Sequence, residues 1–212
     1  MINTIYIEDE IADHPRTKKL IKRFPSSTII SCTRYTEIFN RKSQNFRLQK
    51  KNPALILAKK HKGMVLPTPK HYGIGAKYNY YFSHMLNCIY DCRYCFLQGM
   101  FRSAHYILFV NYEDFIDEIN STLNKHASDN VHFFSGYDCD SLALDSISNF
   151  ISDFLPFFEN HQNALIELRT KSTQIKSLLQ RSSISNCIVA FSFTPNEIAK
   201  VLEHKTPSVS KR

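Results

Sequence analysis

Acidic residues are missing from Arg41 to Lys62, a stretch that carries Arg41, Lys42, Arg47, Lys50, Lys51, Lys59, Lys60 and Lys62. Two readings fit it: neutralisation of phosphates, or a solvated basic face around the apolar run Ala54 to Ala58. Over the whole chain the net charge is +8 and the pI about 9.2, a balance that favours a polyanionic partner, nucleic acid first. Glycine is also scarce, five in 212 residues, so flexible linkers are few, and no internal repeat or low-complexity tract is present. No run is long and apolar enough to span a membrane. With no signal-like apolar segment at the N-terminus, the six cysteines are expected in a reducing cytoplasm rather than in a disulfide framework. The 43% hydrophobic share suits one globular domain with a real core.

The cysteines lack something too. Cys88, Cys92 and Cys95 stand as C-x3-C-x2-C, three thiolates where a complete protein ligand set for an iron-sulfur cluster has four. A cluster held this way keeps one iron open to a substrate or second cofactor. In a straight helix Cys88 and Cys95 would lie ~10 Å apart along the axis. A tight loop around the metal is therefore expected, with Asp91 as a turn residue. The alternative is zinc, taking Cys92 and Cys95 as a C-x2-C half with Cys88 and His84 completing a tetrahedron, although the usual second ligand pair is missing.

The chain divides into a basic N-terminal segment, residues 1 to about 75, and a regular α/β segment from 76 to 212, with Pro67-Thr68-Pro69 near the junction. Tyr78 to Leu86 reads as a strand running into the cysteine loop, and Tyr106 to Val110 as a short extended run. Asn111 is expected to cap a helix bearing Tyr112, Phe115, Ile116, Ile119 and Leu123. Val131 to Ser135 is the next strand. An amphipathic helix follows, with Ile147, Phe150, Ile151, Phe154, Leu155 and Phe158 on one stripe. Ala164 to Leu168 and Ile188 to Phe193 are further strands. Thr194-Pro195-Asn196-Glu197 reads as an N-cap, a proline at the first helical position and the glutamate of a capping box. Such alternation implies a parallel sheet or part of a barrel.

Parallel α/β folds place chemistry at the C-terminal ends of their strands. Setting aside 106 to 110, those ends carry Cys88, then Ser135-Gly136-Tyr137-Asp138-Cys139, then Thr170-Lys171-Ser172, and last Ser192. Taken singly, Cys139 reads as a packed thiol, Lys171 as a surface residue at a helix start and Ser192 as a small strand residue. Together they place a cluster loop, a thiol, an ammonium and hydroxyls at one mouth.

Residues 81 to 98, Tyr-Phe-Ser-His-Met-Leu-Asn-Cys-Ile-Tyr-Asp-Cys-Arg-Tyr-Cys-Phe-Leu-Gln, resemble the cluster loop of radical S-adenosylmethionine (SAM) enzymes. The Cys-Phe-Leu-Gln ending is similar to the Cys-Tyr-Leu-Gln of the spore photoproduct lyase family. The likeness continues through Cys139-Asp140-Ser141, Arg169-Thr170-Lys171-Ser172 and Phe191-Ser192, covering about residues 78 to 207. The resemblance implies a partial, incomplete TIM-type (β/α) radical-SAM barrel behind a basic N-terminal extension. It implies a [4Fe-4S] cluster on Cys88, Cys92 and Cys95, whose open iron chelates S-adenosylmethionine. Ser141, Lys171 and Ser192 match positions that contact that cosubstrate.

In the family reaction a 5'-deoxyadenosyl radical takes a hydrogen from a cross-linked thymine pair in DNA, the cross-link fragments, and a cysteine returns a hydrogen. Cys139 looks like that donor. Tyrosines near the loop pass the radical back; Tyr94 is kept, whereas Phe96 stands where the family has tyrosine and has no O–H to give. The resemblance thus implies a carbon–carbon lyase of DNA repair, with DNA and an electron donor such as flavodoxin or ferredoxin as partners. A related radical enzyme with a different substrate, or a truncated, non-catalytic chain that binds cluster or nucleic acid, are the alternatives. Only four principal strands precede Arg212, whereas the family's barrel implies about two more, so either a fragment or truncated gene product, or a sheet finished some other way, is expected. The last strand and helix are expected to expose an apolar face.

Overall fold

Three short apolar or β-branched runs in the first 60 residues each form a strand: β1 (Thr4–Glu8), β2 (Thr28–Cys32) and β3 (Leu55–Ala58). Helix α1 (Pro15–Ile21) connects the first two, and α2 (Tyr35–Phe39) and α3 (Phe46–Lys51) lead into the third. Along the rest of the chain come β4 (Leu66–Pro67), β5 (Tyr78–Phe82), β6 (Met85–Leu86), β7 (Asp91–Cys92), α4 (Leu97–Met100), β8 (Tyr106–Phe109) and α5 (Tyr112–Lys125). Next are β9 (Val131–Ser135), α6 (Asp145–Ser148), α7 (Phe150–Glu159), β10 (Ala164–Thr170), α8 (Lys176–Leu179), β11 (Cys187–Phe191), α9 (Asn196–Leu202) and β12 (Glu203–His204). The structure, a computed structural model, describes residues 2–212.

The strands make two five-stranded sheets, ordered β2-β1-β3-β8-β6 and β11-β10-β9-β5-β4, and a small ladder of β12 with β7. Within each large sheet the four longer strands are parallel, and the two-residue strands β6 and β4 pair antiparallel at one edge. One apolar core joins both sheets. Fully buried Leu55, Ile56, Leu57 and Ile107 pack in the first, Phe133 and Ile166 in the second, and Phe115, Phe150, Phe154 and Phe158 from α5 and α7 cover them. Buried strands of this kind read as continuous apolar runs because helices cover the sheet. Some buried polar groups are unpartnered, His132 among them, and others tie elements together. The buried Glu8 carboxylate accepts from Tyr35 N at 2.6 Å and Lys59 N at 2.7 Å, holding the end of β3 to the start of α2.

Mixed α/β architecture with parallel sheets is thus as expected, and several local expectations need correction. The division near residue 75 is crossed in both directions, since β8 pairs with β3, and β4 with β5. The run at 106–110 is no minor segment: β8 lies inside the first sheet, every residue buried. Tyr78 to Leu86 breaks at Ser83-His84, after which β6 joins the other sheet, so this segment stitches the two together. The stripe Ile147 to Phe158 is two helices, parted at Asn149, whose φ of 58° is left-handed. Asn111 stands at the start of α5, but its amide holds Lys60 N and O, each at 2.9 Å, instead of capping. The capping box at 194–197 does not form: α9 starts at Asn196, and Thr194 Oγ1 donates to Glu203 instead. An open apolar face near the last strand and helix is present, with Ile188, Val189, Phe193, Ile198 and Val201 all exposed. Among the described residues no helix is long and apolar enough to cross a membrane.

Two imidazoles are sealed in this core. His84 stacks on Phe150, ring centroids 3.9 Å apart, and burial holds its pKa down at about 3; His132 on β9 is held at about 4 for the same reason. Both are neutral when folded and protonate below about pH 6.5 when unfolded. The unfolded chain therefore binds more protons in this window, and stability rises with pH across it and is lost as pH falls from about 6.5 towards 4 and 3. Urea unfolding at pH 7, 6 and 5 should show this loss, at up to about 1.4 kcal/mol per pH unit for each histidine. In His84→Leu the slope should fall by about one proton's share; an unchanged slope would contradict the assignment.

Candidate functional site

The cysteine loop leaves the first sheet at Leu86 and turns through Asn87, whose φ of 67° is one that asparagine tolerates. Asn87 Nδ2 donates to the carbonyls of Ser103 and His105, both at 2.7 Å, fixing the loop's entry to the segment before β8. Further on, Cys95 N donates to Cys92 O and Gln98 N to Cys95 O, each at 3.0 Å, turns that lead into α4. Asp91 is not the turn residue expected. It lies in β7, where Glu203 pairs with Cys92 and His204 with Asp91, and Arg93 N donates to Leu202 O at 2.8 Å.

Cys88, Cys92 and Cys95 line one cavity of about 310 Å³, together with Cys139, Lys171 and Ser192. Cys139, Lys171 and Ser192 follow β9, β10 and β11, which run parallel in one sheet, whereas Cys88 does not follow the end of β5 as expected: its loop reaches the cavity from β6 of the other sheet. All three loop thiols are free. Burial pushes the Cys88 thiol up, opposed by the Tyr90 N–H that donates to its sulfur at 3.4 Å. Burial raises the Cys92 thiol to about 11, with Glu203 adding to the rise and Lys171 and Arg212 opposing it. Protons held this way leave when a thiophilic metal binds. Among the described residues no three His, Cys, Asp or Glu side chains stand close enough to grip a single ion; the thiols ring a cavity instead. A polynuclear group bridged by its own sulfides fits this donor set. His84, the imidazole considered for zinc, is not on the cavity wall but stacked in the core.

Cys139 is buried, and burial raises its pKa well above the usual thiol value, with Cys88 and the flanking aspartates adding to the effect. Its loop is shaped by Gly136, whose φ is 77° and where a Cβ would stand 2.5 Å from Ser141 Oγ and 2.9 Å from Ser141 N. Ser141 is not on the cavity wall: its hydroxyl donates to Ser135 O at 2.9 Å. Lys171 Nζ donates to Glu203 Oε1 at 2.9 Å and to Ser192 O at 3.2 Å. Two of its three N–H groups are used in this way, and the ammonium lies 5.8 Å from the centre of the Tyr94 ring. Tyr94 is half exposed, and its hydroxyl donates to Glu203. Phe96 lies on the cavity rim, its ring centroid 6.0 Å from that of Tyr137.

Two carboxylates organising this site escaped the sequence reading. Asp140 accepts from Thr170 Oγ1 and Lys171 N at 2.7 Å, Ala143 N at 2.9 Å and Leu142 N at 3.0 Å, tying the Cys139 loop to the end of β10. Burial pushes its pKa up and those hydrogen bonds oppose the rise. Glu203 would also be raised by burial, but hydrogen bonds from Thr194, Tyr94, Lys171 and Arg212 prevail and hold it at about 2. Proximity to Cys139 could have drawn attention to Asp140. Nothing local marks Glu203 or Arg212.

The model of the spore photoproduct lyase family matches residues 1–212. The chain belongs to the spore photoproduct lyase family. Spore photoproduct lyase of Bacillus subtilis (strain 168) is 22% identical over 213 residues, covering 98% of this chain and 60% of the relative. A solved mutant of spore photoproduct lyase with bound AdoMet and dinucleoside spore photoproduct superposes with a TM-score of 0.86 at 18% identity, covering 100% of this chain and 62% of that one. Another, complexed with dinucleoside spore photoproduct, gives 0.84 at 18% identity, with the same coverage. These likenesses establish a shared fold. The chain spans about three fifths of the length of the spore photoproduct lyases it matches.

Asp140→Ala should strip an acceptor from four donors at once. A loss of about 3 kcal/mol is expected in urea unfolding, with Asp140→Asn intermediate because it keeps one acceptor oxygen. Equal stability of all three proteins would show that Asp140 is not the tie between the two loops.

Proposed function

We propose that this chain is a radical S-adenosylmethionine iron-sulfur enzyme of the spore photoproduct lyase type, acting on thymine photolesions in DNA. The convergence of three loop thiols with Cys139 and Lys171 on one cavity carries the reading. In this reading the two sheets form part of a (β/α) barrel, and basic N-terminal residues outside α3 help to meet DNA in the cytoplasm.

Cys88, Cys92 and Cys95 would hold a [4Fe-4S] cluster and leave its fourth iron to the cosubstrate. When bound, that cluster supplies the electron that cleaves the sulfonium to a 5'-deoxyadenosyl radical. The protein's part is to orient and shield. Lys171 offers its remaining N–H to the cosubstrate carboxylate, while Glu203 and Ser192 O fix where the ammonium stands. Ser192 is placed on the wall; Ser141 would have to release Ser135 to make a contact. Cys139, kept protonated by burial, retains the S–H hydrogen that quenches a product radical. Tyr94 is poised beside Glu203, with Phe96 between the loop and Tyr137 offering no hydrogen. A second reading, a related radical enzyme with another substrate, is favoured by Phe96.

Anaerobic reconstitution should yield about four irons and four sulfides per chain, and Cys92→Ala should lose them. Tight binding of zinc alone would overturn the proposal. With DNA containing spore photoproduct, thymine should be released and Cys139→Ala should block that release while 5'-deoxyadenosine still forms. Formation of 5'-deoxyadenosine without thymine from the unaltered chain would favour the second reading. Phe96→Tyr should raise the number of thymines released per cosubstrate consumed; no change would show that position 96 is outside the hydrogen path.

A further inference from the structure

The basic run at 41–62 does not stay together in the fold. Lys59 pairs with Glu10 and Lys60 lies over the Phe109 ring, while α3 carries Arg47, Lys50 and Lys51 to the rear of the cysteine loop. Gln49 anchors the helix there by accepting from Ala104 N at 2.9 Å. With Arg93 and Lys205, the three α3 cations line a cleft of about 900 Å³ that also includes Phe46, Asp91 and Gln98. Five cations thus face one carboxylate. Lys50 is 3.7 Å from Asp91, and Lys205 donates to Lys50 O. Among the described residues Arg47, Lys51 and Arg93 have no ion-pair partner, and all three are exposed. Like charges gathered in a concave site repel one another and focus a field that draws an anionic partner.

The location of the cleft says which anion. Side chains along a strand alternate between its faces, and the loop obeys this: Asp91 and Arg93 line the basic cleft, whereas Cys92 between them lines the thiol cavity. Adjacent Cα atoms are about 3.8 Å apart, so Cys92 is flanked by two residues of the cleft, and Gln98 lines both cavities, making the cleft a direct neighbour of the thiol cavity. Tyr72, Phe96 and Tyr137 line the thiol cavity, and in the function proposed above substrate enters by this mouth. The reaction proposed above consumes an electron that has to arrive without crossing that mouth.

We propose that this cleft is the docking surface for an acidic, low-potential one-electron carrier protein. It rests on the reading of the three thiols as cluster ligands. One electron leaves the carrier's reduced cofactor, oxidising it by one equivalent, and reduces the thiolate-held group by one; no atom or proton crosses the interface. Phe46, with Lys50 Nζ 5.7 Å from its ring centre, gives the charged cleft an apolar floor. A DNA backbone would also be drawn to cations, but a duplex presented to the substrate mouth meets the opposite face of the loop.

The test uses the full reconstituted chain and the double variant Lys51→Glu/Arg93→Glu, which breaks no ion pair. Reduction is followed by cluster bleaching, once with dithionite and once with photoreduced flavodoxin at ~50 mM salt, where surface charges are little screened. The half-saturating flavodoxin concentration should rise by about tenfold or more in the variant, with dithionite reduction and affinity for a DNA duplex unchanged. Flavodoxin binding to the metal-free chain should weaken by a similar factor. That titration keeps the two proposals apart: a chain that takes up no cluster sinks the proposed function, and the metal-free binding still decides the docking surface. Unchanged flavodoxin reduction and binding in the variant would overturn the docking surface. Weakened DNA affinity with unchanged flavodoxin response would assign the cleft to phosphate instead.

Discussion

Three thiols on one short loop have to face a single cavity, and no covalent bond within the chain holds that loop in shape. The constraint is met by hydrogen bonds from outside the loop. Asn87 fixes its entry, the two-residue ladder of β7 with β12 fixes its middle, and Glu203 sits at the end of that ladder with four side-chain donors. Breaking a buried charged network by removing one member leaves the others unpaired and costs several kcal/mol. Glu203 therefore sets the loop and the ammonium of Lys171 in one stroke.

Charge around the cavity follows from this arrangement. Glu203 is shared by two cations, Lys171 and Arg212, so the group retains one net positive charge beside the thiols. The Arg212 side chain is fully buried and gives three of its five N–H groups to Pro207 O, Ser192 O and Glu203. It compensates the carboxylate and leaves the Lys171 ammonium as the uncompensated cation on the cavity wall. Negative charge, including that of ionised thiols, is favoured there. On the Cys139 side Asp140 does the opposite work: it is spent wholly on backbone and hydroxyl donors, and the thiol beside it stays protonated.

Legibility in the sequence tracked the range of the interactions involved. The triplet was readable because ligand spacing is local, and the grouping of Cys139, Lys171 and Ser192 was readable because parallel strands deliver their C-terminal ends to one side; that the cysteine loop arrives from the other sheet was not. Misreadings came where tertiary partners outbid local ones. Thr194 has the sequence of a cap, yet its hydroxyl serves Glu203; Asn111 spends its amide on Lys60. Residues 78–86 look like one strand because nothing in Ser83-His84 announces a change of sheet. Glu203 was invisible, since a two-residue ladder has no period and its donors lie up to 109 residues away.

The central claim is that the loop holds a cluster with one iron left open. Mössbauer spectra of the chain reconstituted with 57Fe, with and without S-adenosylmethionine, test it most directly. The account predicts that one of the cluster irons changes its isomer shift when the cosubstrate binds while the others do not. Irons that remain equivalent and indifferent to the cosubstrate would contradict it.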